Sequence, residues 1–566
     1  MEKIVSAILL DTRGIQKYVF SCNELKTNVG ASYIVDRIFN DLMCEVVLPQ
    51  RFNKSQLETD WENNSTVKML KNDSINCEVV YIGGGNMLIL VRLGDATEEK
   101  EKCREIVREW SKQILVAAPG LKTGVAIGDL DISDEGFKAS LDKLYAQLKV
   151  NQNNILPNVD LPYTGLTKEC DVSGKMADAY DYSKGEKRMV SSEVLAKIEA
   201  YKYATNELLD EHEALLKKEY VFADDLEKIG YKDGESYLSI IHIDGNNMGV
   251  KFSACDSLQE RKELSKKVQA NVKSAFKTLL SSIVDEYVSY ANYLDVKSMV
   301  KDGKKVLPIR PIIIGGDDVT FVCPGRLGIE YAKRFMEAMA ELPLLDEEQH
   351  QKMEAALNKD LSAGAKSKKL NDKLSCCAGV AIVKATYPFF RAYELAEQLC
   401  SAAKKNSRQD DTSWMDFAIL HGEKTPELAQ LRRQQYKAAL GDLHFGPYKV
   451  AKDYEEHDSL NALLALEERI NDRKESSDSV EKALKSKESR SKIKKLRDVL
   501  NGDLHAGNIF LENATKLKYV LKEETGKQEV TAKDFWQEKV IDGAKVQATR
   551  YIDAIEIMDF MPKDGE

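Results

Sequence analysis

Two adjacent carboxylates lie in a short glycine-containing segment between two apolar runs. The segment is Gly315-Gly316-Asp317-Asp318, within the sequence IRPIIIGGDDVTFVCP. The apolar runs predict two antiparallel strands joined at these four residues, and the glycines would let a phosphate chain approach the backbone. Carboxylate oxygens are the ligands that magnesium and manganese prefer, so this turn could support metal-dependent phosphoryl or nucleotidyl transfer. A solvent-exposed turn is the alternative, because Gly and Asp are common in turns of any kind.

A third carboxylate, Asp244, ends the apolar run of YLSIIHIDGNNMG, where the turn Gly245-Asn246-Asn247 follows. A strand that ends in Asp244 beside the hairpin could gather three carboxylates at one edge of a sheet. Carboxylates that close raise one another's pKa unless a cation lies among them. We therefore expect Asp244, Asp317 and Asp318 to hold two Mg²⁺ or Mn²⁺ ions. The two turns would let a nucleotide lie against Gly245, Asn246, Asn247, Gly315 and Gly316.

The same pattern occurs earlier in the chain without the paired acids. KIVSAILLDTRG predicts a strand that ends in Asp11, and CEVVYIGGGNMLILV predicts a hairpin around Gly83-Gly84-Gly85-Asn86. Downstream of each hairpin the tetrapeptide Gly-Val-Ala-Ile returns, at 124–127 and at 379–382. The order strand, helix, hairpin, helix, strand, helix is the βαββαβ plan of a ferredoxin-like palm. The sequence thus predicts two palms, of which the first lacks carboxylates at its hairpin and is structural.

The fold class expected from these patterns is α+β, with two ferredoxin-like palm domains, a helical connector and a C-terminal helical bundle. From Lys424 onward the chain is charged and helical in pattern, and Lys482 to Arg497 is its most basic stretch. That stretch predicts a solvated helix face or a contact with RNA or an acidic partner. The expected domains are a first palm at 1–155, an inter-palm loop and connector at 156–234, a second palm at 235–422 and the C-terminal helical domain at 423–566.

The chain resembles the large subunit of type III CRISPR effector complexes, the Csm and Cmr large subunit. The resemblance covers nearly the whole chain and is carried by DTRGIQKYVF and VGASYIVD in the first repeat and by DGNNMG and GGDD in the second. It implies that the second palm joins ATP into cyclic oligoadenylates when target RNA is bound, with Asp244, Asp317 and Asp318 as catalytic residues. It also implies guide RNA and other effector subunits as partners. Lys404 and Lys405, in the run SAAKKN, look like the lysines that meet the triphosphate in related palms.

Two departures from the family pattern affect these expectations. The family's usual turn has an acid where this chain has Asn246, which either weakens metal binding or leaves Asn246 as a turn residue. The family also commonly begins with an HD nuclease domain, whereas this chain starts in the first palm, so DNA cleavage is not expected. Three function classes stay open: an RNA-activated synthetase inside a CRISPR ribonucleoprotein, a stand-alone nucleotide cyclase and a non-catalytic scaffold.

Composition favours a cytoplasmic protein without a membrane span, since 31% of the residues are charged and the longest apolar run is short. A formal net charge of −10 argues against a free-standing nucleic-acid binder, but it allows RNA binding through partner subunits. The ten cysteines form no CxxC pair, so reduced core thiols are favoured over disulfides or zinc. Cys170 is a lone thiol between the palms, and no zinc is expected there.

Overall fold

The fold was analysed on a computed structural model. It describes residues 4–64, 66–153, 165–183, 185–229, 236–292, 294–295, 299–358, 367–408, 410–422, 427–471, 490–541 and 544–562. Much of the expected inter-palm loop, and the first half of the basic stretch from Lys482 to Arg497, lie outside these ranges. In the described residues, no helix is long and apolar enough to cross a membrane.

The first palm is a five-stranded sheet with helices against it. The sheet order is β2-β3-β4-β1-β5, and β1 is antiparallel to both of its neighbours, β4 and β5. The strands are β1 (Ile4–Arg13), β2 (Leu57–Glu58), β3 (Cys77–Gly83), β4 (Asn86–Val91) and β5 (Lys122–Asp131). The helices are α1 (Ile15–Val19), α2 (Leu25–Ile38), α3 (Ala96–Ala117) and α4 (Phe137–Asn153), and a π-helix covers Phe39–Val47.

The connector between the palms is only partly helical. Its helices are α5 (Ser192–Glu211) and α6 (Glu213–Leu216), and a hairpin precedes them, formed by β6 (Ala179–Asp181) and β7 (Arg188–Val190). The sequence predicts a helical connector, yet β8 (Tyr220–Phe222) is a strand that pairs in parallel with residues 305–307. Its Tyr-Val-Phe sequence has high strand propensity, and the partner strand decides its conformation.

The second palm repeats the first with an extended sheet, in the order β12-β13-β9-β14-β15-β16. The strands of this sheet are β9 (Tyr237–Gly245), β12 (Arg310–Gly315), β13 (Asp318–Pro324), β14 (Cys376–Lys384), β15 (Trp414–Ile419) and β16 (Tyr448–Lys449). Two further strands, β10 (Val300–Lys301) and β11 (Lys304–Leu307), form a separate small sheet with β8. Its helices are α7 (Met248–Ser253), α8 (Leu258–Asp285), α9 (Gly328–Glu341), α10 (Glu347–Asn358) and α11 (Phe389–Ser407). The two palms confirm the α+β fold expected from the repeat.

The apolar stripe of α9 illustrates how sequence periodicity positions these elements. Ala332, Phe335, Met336 and Met339 follow the i, i+3, i+4, i+7 spacing and are buried. The stripe packs α9 against β9 and β14, so the helix covers the sheet that carries the carboxylates.

The C-terminal region is mainly helical. In the part of it that the structure describes, the helices are α12 (Leu428–Gln435), α13 (Leu460–Asn471), Arg490–Lys494, Leu496–Asn501, Leu504–Asn513, Thr515–Thr525 and Arg550–Ile557. It also contains the hairpin of β17 (Gln537–Ile541) and β18 (Ala544–Ala548), which the sequence patterns do not predict. His444 joins the region to the second palm, because its Nδ1 lies 2.7 Å from Asp553 Oδ1 and its Nε2 lies 2.9 Å from Asp416 Oδ1.

Candidate active site

Three strands bring the predicted carboxylates to one edge of the second palm. Asp244, near the end of β9, and Asp318, at the start of β13, are direct Cα partners in the antiparallel ladder. Gly315 pairs with Asp318 across β12 and β13, which leaves Gly316 and Asp317 as the tip of the hairpin. The backbone N–H of Gly245 donates to the carbonyl of Asp317 at 3.2 Å. The sheet register therefore holds the three acids together.

Two glycines permit this close approach. A Cβ added at Gly245 would lie 2.8 Å from the Cβ of Asp317, a separation that would force the hairpin tip away from β9. Gly316 has φ +59°, a conformation that favours glycine, and its Cβ position lies 3.5 Å from the backbone nitrogen of Gly84. The tip of the second palm's hairpin thus lies against the hairpin of the first palm.

Lys404 neutralises part of the carboxylate cluster. Its ammonium group donates to Asp244 Oδ2 and, at 3.3 Å, to the carbonyl of Gly245. Burial would lower the pKa of Lys404, but the adjacent Asp244 outweighs it and raises that pKa above its ordinary value. Lys405, the next residue of α11, is exposed. Of the two predicted lysines, Lys404 is the one that the structure places against Asp244, a predicted metal ligand.

The pKa of Asp317 indicates that the carboxylate cluster has too little positive charge nearby. Burial, followed by repulsion from Asp244, raises the pKa of Asp317 to about 7. Such a shift means that a negative charge at the hairpin tip is costly until a cation compensates it. Asp318 Oδ1 is also buried and has no hydrogen bond of good geometry among the described residues. The nearest imidazole nitrogen, Nδ1 of His242, lies 3.3 Å away.

These observations decide how well the site fits a divalent cation. As the side chains are arranged, no group of three or more His, Cys, Asp or Glu residues in the described ranges is spaced to hold a metal ion. In this arrangement the ammonium group of Lys404 contacts one oxygen of Asp244. The donor set is nevertheless of the oxygen type that hard cations prefer, and the raised pKa of Asp317 indicates a deficit of positive charge. The residues present therefore fit a divalent cation that replaces the ammonium group of Lys404 at Asp244.

The turn after β9 is fixed by a buried polar network that the sequence analysis missed. Asn246 is 3% exposed, and its Nδ2 donates to Ser375 Oγ at 3.2 Å and to the carbonyl of Thr412 at 3.1 Å. Asn247 has φ 54°, and its Nδ2 donates to Asp411 Oδ1 at 2.8 Å. This geometry supports the second of the two alternatives for Asn246, in which its side chain holds the turn.

An ion pair lies beneath this turn. Lys251 Nζ is 3.2 Å from Asp411 Oδ2, and both side chains are fully buried. The same ammonium group donates to the carbonyl of Asn246 at 3.1 Å, and Ser375 Oγ donates to Asp411 Oδ1 at 2.9 Å. A buried ion pair is weak evidence for stability, because the desolvation of both charges offsets their attraction. Here it fixes the backbone next to Asp244.

A cavity of about 740 Å³ opens between the two palms and borders the carboxylates. The second palm contributes Gly315 to Asp318 and Met248 to its wall, and the first palm contributes Thr12 and Gly83 to Asn86. Farther along, Arg261 of α8 donates to the hydroxyl of Tyr145 in the first palm at 2.7 Å. The cavity thus belongs to both repeats.

The corresponding position of the first palm is arranged differently. Asp11 pairs in register with Asn86 and Gly124, as Asp244 does with Asp318 and Cys377. Gln152 Nε2 donates to Asp11 Oδ2. Gln152 is the sixteenth residue of α4, and Lys404 is the sixteenth residue of α11. Asn86 and Gln152 thus replace the second carboxylate and the lysine of the other palm.

Cys170 lies outside this site. It is buried with Cys22, Val190, Val194 and Ile198 in a small core beside α5. Its Sγ accepts a hydrogen bond from the Ser173 backbone N–H at 3.4 Å. Burial would raise the pKa of this thiol, but hydrogen bonds from Ser173 and neighbouring backbone groups lower it below its ordinary value.

Comparison with known families identifies the domain that carries the carboxylates. Residues 237–413 match the family model for the second palm domain of Cas10/Cmr2. The match begins at the first residue of β9 and includes the hairpin, α11 and Lys404. No curated protein matches the chain.

The solved structures to which this chain is similar include chains of Csm1. A Csm1–Csm4 cassette in complex with AMPPNP is 15% identical, with a TM-score of 0.40, and the match covers 83% of this chain and 62% of that chain. A Csm1–Csm4 cassette in complex with pppApApA is 12% identical, with a TM-score of 0.46 and coverage of 99% and 70%. Csm1 of T. onnurineus is 15% identical, with a TM-score of 0.46 and the same coverage. The chain therefore spans between 62% and 70% of the length of these proteins.

Proposed function

We propose, on the premise that residues 237–413 are a second palm domain of the Cas10/Cmr2 family, that the protein is a metal-dependent nucleotidyltransferase. Its substrate is ATP, and its products are cyclic oligoadenylates that act as second messengers in antiviral defence. The resemblance described above implies this product class. The protein acts within a type III CRISPR ribonucleoprotein and is activated by target RNA.

One observation carries the proposal: the pairing of Asp244 with Asp318 at the edge of a cavity that both palms enclose. A volume of about 740 Å³ is within the range of pockets that hold small-molecule ligands. Asp317 and Asp318 line this cavity beside the two glycine-containing hairpins, and Asp244 is the strand partner of Asp318. A nucleotide in it would have its phosphates next to the acids and next to the glycine backbone.

The positions of these residues support a proposed role for each of them. Asp244, Asp317 and Asp318 would hold divalent cations, which when bound lower the pKa of an attacking ribose hydroxyl and neutralise charge on the α-phosphate and the leaving pyrophosphate. Gly315 and Gly316 allow the phosphate chain to approach the hairpin backbone. Lys404, released from Asp244, is positioned to donate to the triphosphate, for which a flexible ammonium group is well suited.

The net charge of the chain and its similarity to Csm1 support a proposal about its partners. A chain with a formal net charge of −10 does not attract RNA by bulk electrostatics. We therefore propose that guide and target RNA are held chiefly by other effector subunits, one of them of the kind that accompanies Csm1 in the Csm1–Csm4 structures. Target RNA would then act on the synthetase through the assembled complex.

The test is product analysis with each nucleoside triphosphate. The purified protein, alone and with its partner subunits, guide RNA and target RNA, is incubated with Mg²⁺ or Mn²⁺, and products are identified by mass spectrometry. Cyclic oligoadenylates that form only in the complete complex are the expected result. The double variant Asp317→Ala, Asp318→Ala should remain folded and form no product.

Three other outcomes would contradict parts of the proposal. Product formation by the isolated protein would indicate a stand-alone cyclase. A complex that assembles normally but makes no product from any nucleotide would indicate a scaffold. Undiminished product formation by the double variant would show that the carboxylates are not the active site.

A further inference from the structure

His242 is a buried histidine that lies beside the candidate metal ligands. No sequence motif had indicated a role for it. It lies two residues before Asp244 on β9, and it is the direct Cα partner of Thr320 on β13. Because side chains two residues apart point to the same face of a strand, His242 and Asp318 are diagonal neighbours on that face. The imidazole Nδ1 forms a hydrogen bond with Thr320 Oγ1 at 3.4 Å, in which either atom can be the donor. The same nitrogen lies 3.3 Å from Asp318 Oδ1, without the alignment of a hydrogen bond.

The carboxylate oxygen that faces His242 is removed from water. Asp318 Oδ1 is buried and has no well-aligned hydrogen bond among the described residues. The imidazole Nδ1 of His242 lies 3.3 Å from it, close enough to donate once the two groups align. An N–H at Nδ1 directed at this oxygen would orient the carboxylate and leave Oδ2 for a ligand. Contacts of this kind are often long in a ligand-free site and shorten when the ligand binds.

The imidazole ring is held in place by residues of both palms. Tyr393 of α11 meets it edge to face, with ring centroids 5.4 Å apart and an interplanar angle of 74°. Tyr393 in turn stacks on Phe20 of the first palm, with centroids 3.8 Å apart. Such aromatic pairs stabilise a fixed geometry. The ring of His242 is 3% exposed, so it has little freedom to turn away from Asp318.

We propose that His242 is a positioning residue, which donates from Nδ1 to Asp318 Oδ1 and orients that carboxylate for the divalent cation. The inference deepens the proposed function, since it rests on Asp318 being a metal ligand. Groups that hydrogen-bond a metal ligand fix its orientation, and their removal typically lowers metal affinity about 10- to 100-fold. The stack of Phe20 and Tyr393 makes the first palm part of this support.

The experiment measures Mn²⁺ binding to the nucleotide-free protein by calorimetry, with unfolding temperature and circular dichroism as controls of folding. His242→Leu removes the donor, and His242→Asn keeps an N–H near the position of Nδ1. His212→Leu is the matched control, because His212 is also buried and lies at the end of α5, outside the carboxylate cluster. A fourth variant, Phe20→Leu, removes the stacking partner of Tyr393.

We expect His242→Leu to weaken Mn²⁺ binding about 10-fold or more. His242→Asn should recover most of the loss, His212→Leu should bind as the wild type does, and Phe20→Leu should be intermediate. Wild-type affinity in folded His242→Leu would overturn the proposal. Equal losses in His242→Asn and His242→Leu would also overturn it, because they would show that the ring only fills space. If His242→Leu does not fold, His242→Asn and Phe20→Leu are each compared with the wild type. Mn²⁺ binding that is weakened in Phe20→Leu and unchanged in His242→Asn supports the proposal. Wild-type Mn²⁺ binding in both variants contradicts it.

The double variant Asp317→Ala, Asp318→Ala separates this inference from the proposed function. If that variant binds Mn²⁺ as the wild type does, the carboxylates are not a metal site and the proposed function fails. If it loses Mn²⁺ while His242→Leu does not, the metal site stands and only the role of His242 is wrong.

Discussion

Asp244 and Asp318 lie directly opposite each other as Cα partners on the central antiparallel strands β9 and β13. Their separation is therefore set by the sheet, and neither depends on a loop for its position. β14 pairs with the other edge of β9, where Cys377 is the partner of Asp244. The three-stranded ladder therefore fixes the backbone of both acids, and the side chain of Lys404 is the group that would have to move before a cation could reach Asp244.

The first prediction concerns the charge at the hairpin tip in the metal-free protein. The pKa of Asp317 is raised to about 7, from an ordinary value of 3.8. Between these values the folded protein holds a proton that the unfolded chain has released, so the free energy of unfolding falls as pH rises through this interval. Asp317→Asn removes the titration. The variant should unfold at a higher temperature than the wild type at pH 8, and the difference should shrink toward pH 5.

Thermal unfolding in a metal chelator, at several pH values, checks this expectation. A difference of at least about 2 °C at pH 8 is expected, given that one kcal/mol shifts the midpoint by roughly 2 to 4 °C in domains of this size. Asp142→Asn is the control, because Asp142 is exposed on α4. Saturating Mn²⁺ should stabilise the wild type and leave Asp317→Asn nearly unchanged. A wild type that is the more stable protein at pH 8 without metal would contradict the raised pKa.

The second prediction concerns Lys404, whose ammonium group occupies Asp244. Lys404→Met removes a cation that competes with metal for this carboxylate, so Mn²⁺ should bind the nucleotide-free variant several-fold more tightly. The variant should also lose the donor for the triphosphate, so KM for ATP should rise by about 10-fold or more. Calorimetry and steady-state kinetics measure the two effects separately. Lys405→Met should change Mn²⁺ affinity and KM less than Lys404→Met does, since Lys405 is exposed. Equal changes in the two variants would contradict the role proposed for Lys404.

The parts of this site that could be predicted from the sequence are those whose residues lie close together in the chain. The hairpin and Asp244 are visible because apolar runs, glycines and acids occur within a few neighbouring residues, and the palms are visible because the pattern repeats. The partners of the turn are not local: Asp411 meets Asn247 from 164 residues away. A buried polar network of this kind has no period in the sequence, because each member is specified by packing in three dimensions.

The role of His242 could not be predicted from the sequence. A histidine within the apolar run IIHID is the one polar residue between Ile240 and Ile243, which could have drawn attention to it. Its partner Asp318 and its support by Phe20 become visible only once strand register and the contact between palms are known. The hairpin of β17 and β18 was missed for a simpler reason: its sequence is charged, and strand pairing overrides its weak propensity.

The third prediction concerns Asn246, where the family pattern has an acid. Asn246→Asp cannot donate to Ser375 Oγ and to the carbonyl of Thr412, and it places a carboxylate against that carbonyl. We therefore expect the free energy of unfolding to fall by about 1 to 3 kcal/mol. The metal concentration for half-maximal activity of the folded variant should be unchanged, because the side chain supports the turn.

Denaturant unfolding and a metal titration of activity measure the two quantities for Asn246→Asp. Asn513→Asp is the matched control, because the amide of Asn513 also donates to a carbonyl, that of Ile509, but on an exposed helix surface. That change should cost less than about 0.5 kcal/mol. A stable Asn246→Asp protein that needs less metal than the wild type would show instead that this position faces the ions.

The last prediction concerns Asp11, which occupies in the first palm the position of Asp244 in the second. Burial raises the pKa of Asp11, so a neutral side chain is well tolerated there, and the oxygen of Asn can still accept the hydrogen bond from Gln152. The hairpin opposite Asp11, Gly83 to Asn86, offers no carboxylate to complete a site for two ions. Asp11→Asn should therefore retain product formation within about twofold, whereas Asp244→Asn in the same assay should lose roughly a thousandfold or more. Loss of activity in Asp11→Asn protein that folds and assembles normally would mean that the first palm takes part in the chemistry.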